Sequence, residues 1–205
     1  MSDPIIVITG PELAAYGFPN GHPFGPDRHD AFMVELEQSV CVSVLDRQPS
    51  REASREEIES FHASEYIDLV IKLSETGAGY LDGGDTPAYP GVYEAAAHTV
   101  GGTLSALQSV LEGAVPRAFN PIGGLHHAAR DTAAGFCVFN DAAVAIAIAL
   151  DRFGLKKVAY VDIDAHHGDG VFYGFEDDPR VIFADVHEDG RFLYPGTGNR
   201  SEIGK

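Results

Sequence analysis

Three short stretches concentrate the residues able to do chemistry. His126 and His127 follow Gly123, Gly124 and Leu125; Asp162, Asp164, His166, His167 and Asp169 crowd together further on; Gly135, Phe136 and Cys137 stand between. Carboxylate oxygens and imidazole nitrogens are donors that zinc accepts, and burying such a set without a metal or partners is costly. On an extended chain the spacing Asp-x-Asp-x-His puts Asp162, Asp164 and His166 on one side. Two readings stay open on these residues alone: a metal centre, or a hydrogen-bonded strand terminus without metal. The histidine pair in its glycine-rich loop is likewise open between a functional and a structural role.

Such a cluster needs elements to position it. Residues 157–162 read as a buried strand, so the cluster falls at the C-terminal end of a parallel strand, where open α/β sheets hold their ligands. Apolar runs predict further strands at 4–9, 40–45, 117–120 and 180–186. Ser54 followed by Glu57 forms a capping-box pattern, and Gly77 and Gly113 stand where helices would stop. The stretch 141–153, with Asn140 as N-cap and Gly154 as stop, is apolar nearly all round and must be buried on several sides. That pattern predicts one α/β domain over residues 1–205, a three-layer sandwich whose mainly parallel sheet is covered by helices. The Arg- and Glu-rich residues 50–59 read as a solvated loop and helix start, not a linker.

Composition narrows the function. A net charge of -17 repels phosphate backbones, which argues against direct nucleic-acid binding. The acidity suits cationic partners such as lysine-rich peptides or polyamines, though simple solubility explains it as well. No apolar run reaches the roughly 20 residues of a membrane span, no basic-flanked signal segment is present, and the two cysteines imply no disulfide framework. The expectation is a soluble, cytoplasmic protein with reduced cysteines. No Gly-Lys-Ser or Gly-x-Gly-x-x-Gly pattern supports nucleotide binding.

The motifs together resemble the zinc-dependent histone deacetylase superfamily, and among its members the bacterial acetoin-utilisation-type deacetylases. They are His22-Pro-Phe-Gly-Pro-Asp-Arg28, Gly84-Asp-Thr-Pro87 with Pro90-Gly-Val-Tyr-Glu-Ala95, Gly123-Gly-Leu-His-His127, Gly135-Phe-Cys137, Asp162-Ile-Asp-Ala-His-His-Gly-Asp-Gly170 and Tyr194-Pro-Gly-Thr-Gly198. The resemblance implies the arginase/deacetylase fold and zinc bound by Asp164 and His166. It implies that His127, paired with Asp169, is the general base and then acid, with His126 paired to Asp162 beside it. Asp85 would hold the substrate backbone at the rim, and Gly135, Phe136 and Tyr194 would wall a narrow tunnel for an acetylated alkyl amine. A monovalent cation, K+, would sit near Asp162, Asp164, the carbonyl of His166, Asp185 and Val186. Arg28 would face an internal channel through which acetate leaves, and Cys137 would serve packing.

The resemblance also implies a third zinc ligand, an Asp on a later strand, and a Tyr that stabilises the oxyanion. Neither falls within the motifs present, so the fold is expected to be incomplete on its C-terminal side and this chain to be inactive or nearly so. Uncovered faces then favour oligomers. The expected substrate is an acetylated lysine peptide or protein. Acetylpolyamine hydrolysis is the alternative within the family, and a non-catalytic acetyl-lysine-binding pseudoenzyme the alternative outside catalysis. A ureohydrolase of the arginase type would need a second Asp at the position of Gly168.

Overall fold

The computed structural model describes residues 3–204. Strand β1, Ile5–Thr9, carries Ile6, Val7 and Ile8 buried on both faces, the near-continuous apolar run of a strand covered on both sides. It pairs in parallel with β2, Leu45–Pro49, on one side and with β3, Ala118–Phe119, on the other. Strand β4, Val158–Asp162, pairs in parallel with β5, Val181–Asp185, which sets Asp162 opposite Asp185. Every strand ladder among the described residues is parallel, in keeping with the expected mainly parallel sheet. Among the described residues the sheet runs in two pieces, ordered β2-β1-β3 and β4-β5.

One strand lies elsewhere than its apolar run suggests. Residues 40–45 do not form it: Val40 is exposed, Val42–Val44 is a single turn of 3-10 helix, and β2 begins only at Leu45. Strand β2, Leu-Asp-Arg-Gln-Pro, is the outermost strand of its piece, so polar side chains and a terminal proline are tolerated there. Hydrophobicity alone pointed at the wrong residues.

Seven helices surround the strands among the described residues: α1, Pro11–Ala14; α2, Arg28–Glu37; α3, Arg55–Ile58; α4, Ser64–Thr76; α5, Val92–Leu111; α6, Asp141–Asp151; and α7, Asp169–Phe175. The capping box forms at α3, where Ser54 Oγ accepts from the Glu57 amide and the Glu57 carboxylate accepts from the Ser54 amide. Gly77 closes α4 in the left-handed conformation with φ 60°. Helix α6 starts on Asn140, whose Oδ1 accepts from the Ala143 amide at 2.9 Å. It packs on α5, α7, α3 and β4, as its apolar circumference requires, while α5 packs on α1, α4, β1 and β3. These elements share one core running from Ile6 and Ile8 through Val100 and Phe139 to Val144 and Ile148.

The β4-β5 piece is different. Its inner residues pack on that core, but Val161, Ile163, Ile182 and Val186 on its outward side are exposed. Among the described residues no helix is long and apolar enough to cross a membrane.

Candidate active site

The histidine loop is gripped by the head of α6. Asn140 donates from Nδ2 to the carbonyls of His126 and Ala128 at 3.1 and 3.0 Å. The buried Asp141 carboxylate accepts from the amides of Gly124 and Leu125 at 3.0 and 2.8 Å, and from the Thr103 hydroxyl at 2.6 Å. Backbone on both sides of the histidine pair is therefore fixed by the first two residues of one helix end. Helix α7 comes in from the other side, and Gly170 lets it: a Cβ there would stand on the carbonyl oxygens of His126 and Ala128. The Gly-Asp-Gly motif thus brings Asp169 against the loop.

Both imidazoles are buried and each is backed by a carboxylate. His126 Nδ1 lies 2.7 Å from Asp162 Oδ2, His127 Nδ1 lies 2.7 Å from Asp169 Oδ1, and the two Nε2 atoms face each other at 3.1 Å. Each carboxylate accepts, so each Nδ1 carries a proton. Burial pushes the His126 imidazole down, but the hydrogen bond and charge of Asp162, with Asp164 and Asp169 behind, outweigh it and the pKa rises. Burial likewise opposes the Asp162 carboxylate, yet donation from His126, from Tyr160 Oη at 2.6 Å and from the Asp164 amide holds its pKa at about 2.

The expected metal donors, Asp164 and His166, stand on looser ground. Strand alternation ends at Asp162, so Asp162, Asp164 and His166 do not share one side as an extended chain would have them. Asp162 is buried against His126, whereas the chain bends at 164–166 and exposes Asp164. Asp164 Oδ1 accepts from the His166 amide and lies 2.8 Å from His166 Nδ1. Burial raises the Asp164 carboxyl, but these His166 contacts and the His126 charge bring its pKa down and keep it ionised. Zinc bonds of about 2.0–2.1 Å put two ligand atoms of one ion within roughly 3.3 Å of each other, so oxygen and nitrogen here fit two positions of a zinc site. Among the described residues no group of three His, Cys, Asp or Glu side chains is arranged to hold a metal.

At the residues expected to hold a monovalent cation, both Asp185 oxygens are engaged. Oδ1 lies 2.6 Å from His187 Nδ1, and Oδ2 accepts from the Gly168 amide at 3.0 Å. Val186 donates its amide to the Asp162 carbonyl.

Gly135, Tyr194 and the histidines converge. A Cβ on Gly135 would lie 2.5 Å from the His127 ring and 2.8 Å from the Tyr194 ring, so only glycine fits between them. Tyr194 packs edge-on to His127 with ring centroids 5.0 Å apart and is 43% exposed, so it is a surface wall and not a core aromatic. Burial first, then the charges of Asp169 and Asp85, raise its phenol pKa. Phe136 meets the His22 ring edge-on at 4.5 Å, and His22 Nε2 lies 3.2 Å from the Asp85 carbonyl, which brings Asp85 to the same rim. Cys137 is buried, as a packing residue would be. Arg28 does not face an internal channel as expected: it lies exposed at the start of α2, where its guanidinium stacks over the Phe24 ring at 4.4 Å.

Four residues that position the site escaped sequence reasoning: Asp141 and Thr103 under the histidine loop, Tyr160 on Asp162, and Thr86, whose hydroxyl accepts from the Phe136 amide at 3.1 Å. Asn140 carried a legible signal as an N-cap, but nothing in its spacing reveals that its amide also holds the histidine loop.

A histone deacetylase domain profile matches residues 22–205. The acetoin utilization protein AcuC of Bacillus subtilis (strain 168) is 41% identical over 97% of this chain and 53% of its own length. Histone deacetylase 8 of Xenopus laevis is 40% identical over 74% of this chain and 48% of its own length. The chain thus spans about half the length of these curated relatives. Among solved structures, the HDA15 HD domain superposes with a TM-score of 0.89 at 30% identity, covering 100% of this chain and 60% of that one. An HDAC homolog from Aquifex aeolicus gives 0.84 at 29% identity, covering 98% and 56%.

Proposed function

The chain belongs to the histone deacetylase family, and on that premise we propose that it carries the proton-handling part and two metal donors of a zinc-dependent site that hydrolyses an acetylated amine, a lysine side chain foremost. The reading rests on the opposed imidazoles of His126 and His127, each with its own carboxylate at 2.7 Å. Amide hydrolysis needs a base for the attacking water and an acid for the departing amine. His127 Nε2 takes the proton of the water while Asp169, on Nδ1, keeps the ring oriented and stabilises the imidazolium. The same proton then passes to the amine nitrogen as the C–N bond breaks and acetate forms. His126, its pKa raised by Asp162, adds positive charge beside the developing oxyanion.

Asp164 and His166 would hold zinc, which when bound supplies the Lewis acidity that acidifies water and polarises the acetyl carbonyl. Gly135, Phe136 and Tyr194 wall the channel for the alkyl chain, and Asp85 holds the substrate backbone at the rim. A monovalent cation beside Asp162, Asp164, the His166 carbonyl, Asp185 and Val186 would steady the donor loop.

Zinc content and turnover of a fluorogenic acetyl-lysine peptide test the reading, with an acetylated polyamine in a parallel arm. Stoichiometric zinc with turnover of the peptide is the result expected once a third ligand and an oxyanion-stabilising Tyr are supplied; the present chain by itself should turn over little or none. Preference for the polyamine moves the substrate but keeps the chemistry. Two described donors, where catalytic zinc takes three protein ligands, favour a second reading: binding of acetyl-lysine without turnover. Saturable peptide binding with no acetate released would establish that instead.

A further inference from the structure

Gly135 and Phe136 form the tip of a tight hairpin. The Ala134 amide donates to the Cys137 carbonyl at 3.2 Å and the Cys137 amide to the Ala134 carbonyl at 2.8 Å. The two residues between them have φ of 52° and 70°. That is a type I′ turn, which requires positive φ at both central positions and ordinarily takes Asn and Gly. Phe136 is one of two non-glycine residues with positive φ among those described, the other being Asn20. A bulky residue keeps that conformation only where its surroundings over-determine it.

Here the surroundings are two buried hydroxyls. Thr86 Oγ1 accepts from the Phe136 amide at 3.1 Å, and Tyr16 Oη donates to the Phe136 carbonyl at 2.7 Å while accepting from the Val138 amide at 3.0 Å. Both residues are fully buried and lie 50 and 120 positions away in sequence. Thr86 also donates to Asp85 Oδ1 at 3.3 Å, and the Asp82 carboxylate fixes that loop by accepting from the amides of Gly84, Asp85 and Thr86. Every main-chain polar group of Phe136 is thus held by a side chain from elsewhere in the fold.

We propose that Tyr16 and Thr86 are positioning residues that strap the Gly135-Phe136 turn into its left-handed form, so that the Phe136 ring stands as a fixed wall of the acyl channel and moves with the Asp85 rim. The channel role of Phe136 rests on the deacetylase reading above; the strap itself does not. Once the strap is cut, the turn relaxes toward conformations a phenylalanine prefers, and substrate meets a wall that must first be ordered. The penalty falls on binding more than on the chemical step at His127.

Thr86→Val removes the acceptor at nearly constant volume. Hydrogen exchange at the Phe136 amide should then speed up by about fivefold, the factor carried by one ordinary hydrogen bond, and Thr86→Ser should restore slow exchange. KM for the acetyl-lysine peptide should rise by about the same factor while kcat changes less than twofold. In a Phe136→Gly background, where the turn is unstrained, Thr86→Val should add nothing to KM. Tyr16→Phe, read at the Val138 amide, repeats the exchange test should Thr86→Val not fold. Unchanged exchange at both amides overturns the strap. Equal losses in kcat and KM, or an undiminished Thr86→Val effect on the glycine background, overturn the positioning role. If the wild-type chain turns over no peptide, peptide affinity takes the place of KM and exchange at the two amides decides the strap; if it neither binds nor turns over peptide, the deacetylase reading fails while exchange still decides the strap.

Discussion

His127 and His166 are neighbours, with ring centroids 5.7 Å apart, yet they stand on different ground. His127 is buried, backed by Asp169 and set in a loop that Asn140 and Asp141 grip from the head of a helix packed on all sides. His166 lies on the segment that holds β4 and β5, whose outward residues Val161, Ile163, Ile182 and Val186 are 69, 86, 51 and 77% exposed. Its closest polar partner is the still more accessible Asp164. On the proposed reading the fold itself organises the groups that would move protons, because a base gains from being set before substrate arrives. On the same reading the proposed donors hold each other, and an ion would complete their order on binding.

That contrast breaks most sharply at Asp164. In a protein that also supplies the third zinc ligand, Asp164→Ala should abolish stoichiometric zinc binding and with it all turnover, while the fold is untouched because the carboxylate is exposed. Metal analysis beside a thermal melt checks both halves; zinc retained at full occupancy would remove Asp164 from the donor set. The buried side should respond in the opposite sense. His127→Ala should keep its zinc and lose roughly 10² to 10⁴ in kcat, the usual contribution of a positioned base. A loss of zinc in that variant would mean the two regions are one unit.

The same division governs how far the chain could be read before its structure was known. The chemistry-bearing residues were legible because they cluster in sequence, and β1, β3, β4 and β5 lie within a residue or two of their apolar runs. Strand β2 was not, since an edge strand needs no apolar alternation and the nearby Val40, Val42 and Val44 belong to a turn. Nor were α1 and α2 marked by any strong period. The grip on the histidine loop stayed hidden because Asp141 and Thr103 act through side chains on distant backbone or on each other, at separations no motif encodes. Extended alternation misplaced Asp164 for a simpler reason: the strand stops two residues earlier.

The interior region should also be the one that acid attacks. His62 Nε2 accepts from the Asn140 amide at 2.9 Å, and burial pushes the His62 pKa down to about 4. Its folded pKa lies below the unfolded value near 6.5, so between the two the unfolded chain binds more protons and stability rises with pH. The contribution is complete above pH 6.5 and is lost as pH falls toward about 4, a change of roughly 3 kcal/mol for 2.5 pKa units. Urea midpoints from pH 7 to 4 should slope more steeply in wild type than in His62→Gln. Parallel slopes would mean that His62 is charged in place and does not anchor Asn140.

The smallest effect tests the outward side of β4. Val161→Thr keeps the β-branched shape and strand propensity, and at 69% exposure the added hydroxyl stays in water, so stability should change by less than about 0.5 kcal/mol. The same substitution at the fully buried Val100 in α5 puts a hydroxyl among apolar neighbours and should cost roughly 1–3 kcal/mol. Paired denaturation curves on the two variants measure the difference between the regions directly. Should Val161→Thr prove as costly as Val100→Thr, the outward face is covered in solution, and concentration dependence of the midpoint then shows whether a second copy of the chain covers it. Asp164 and His166 would in that case be ordered by protein contacts as firmly as His126 and His127 are.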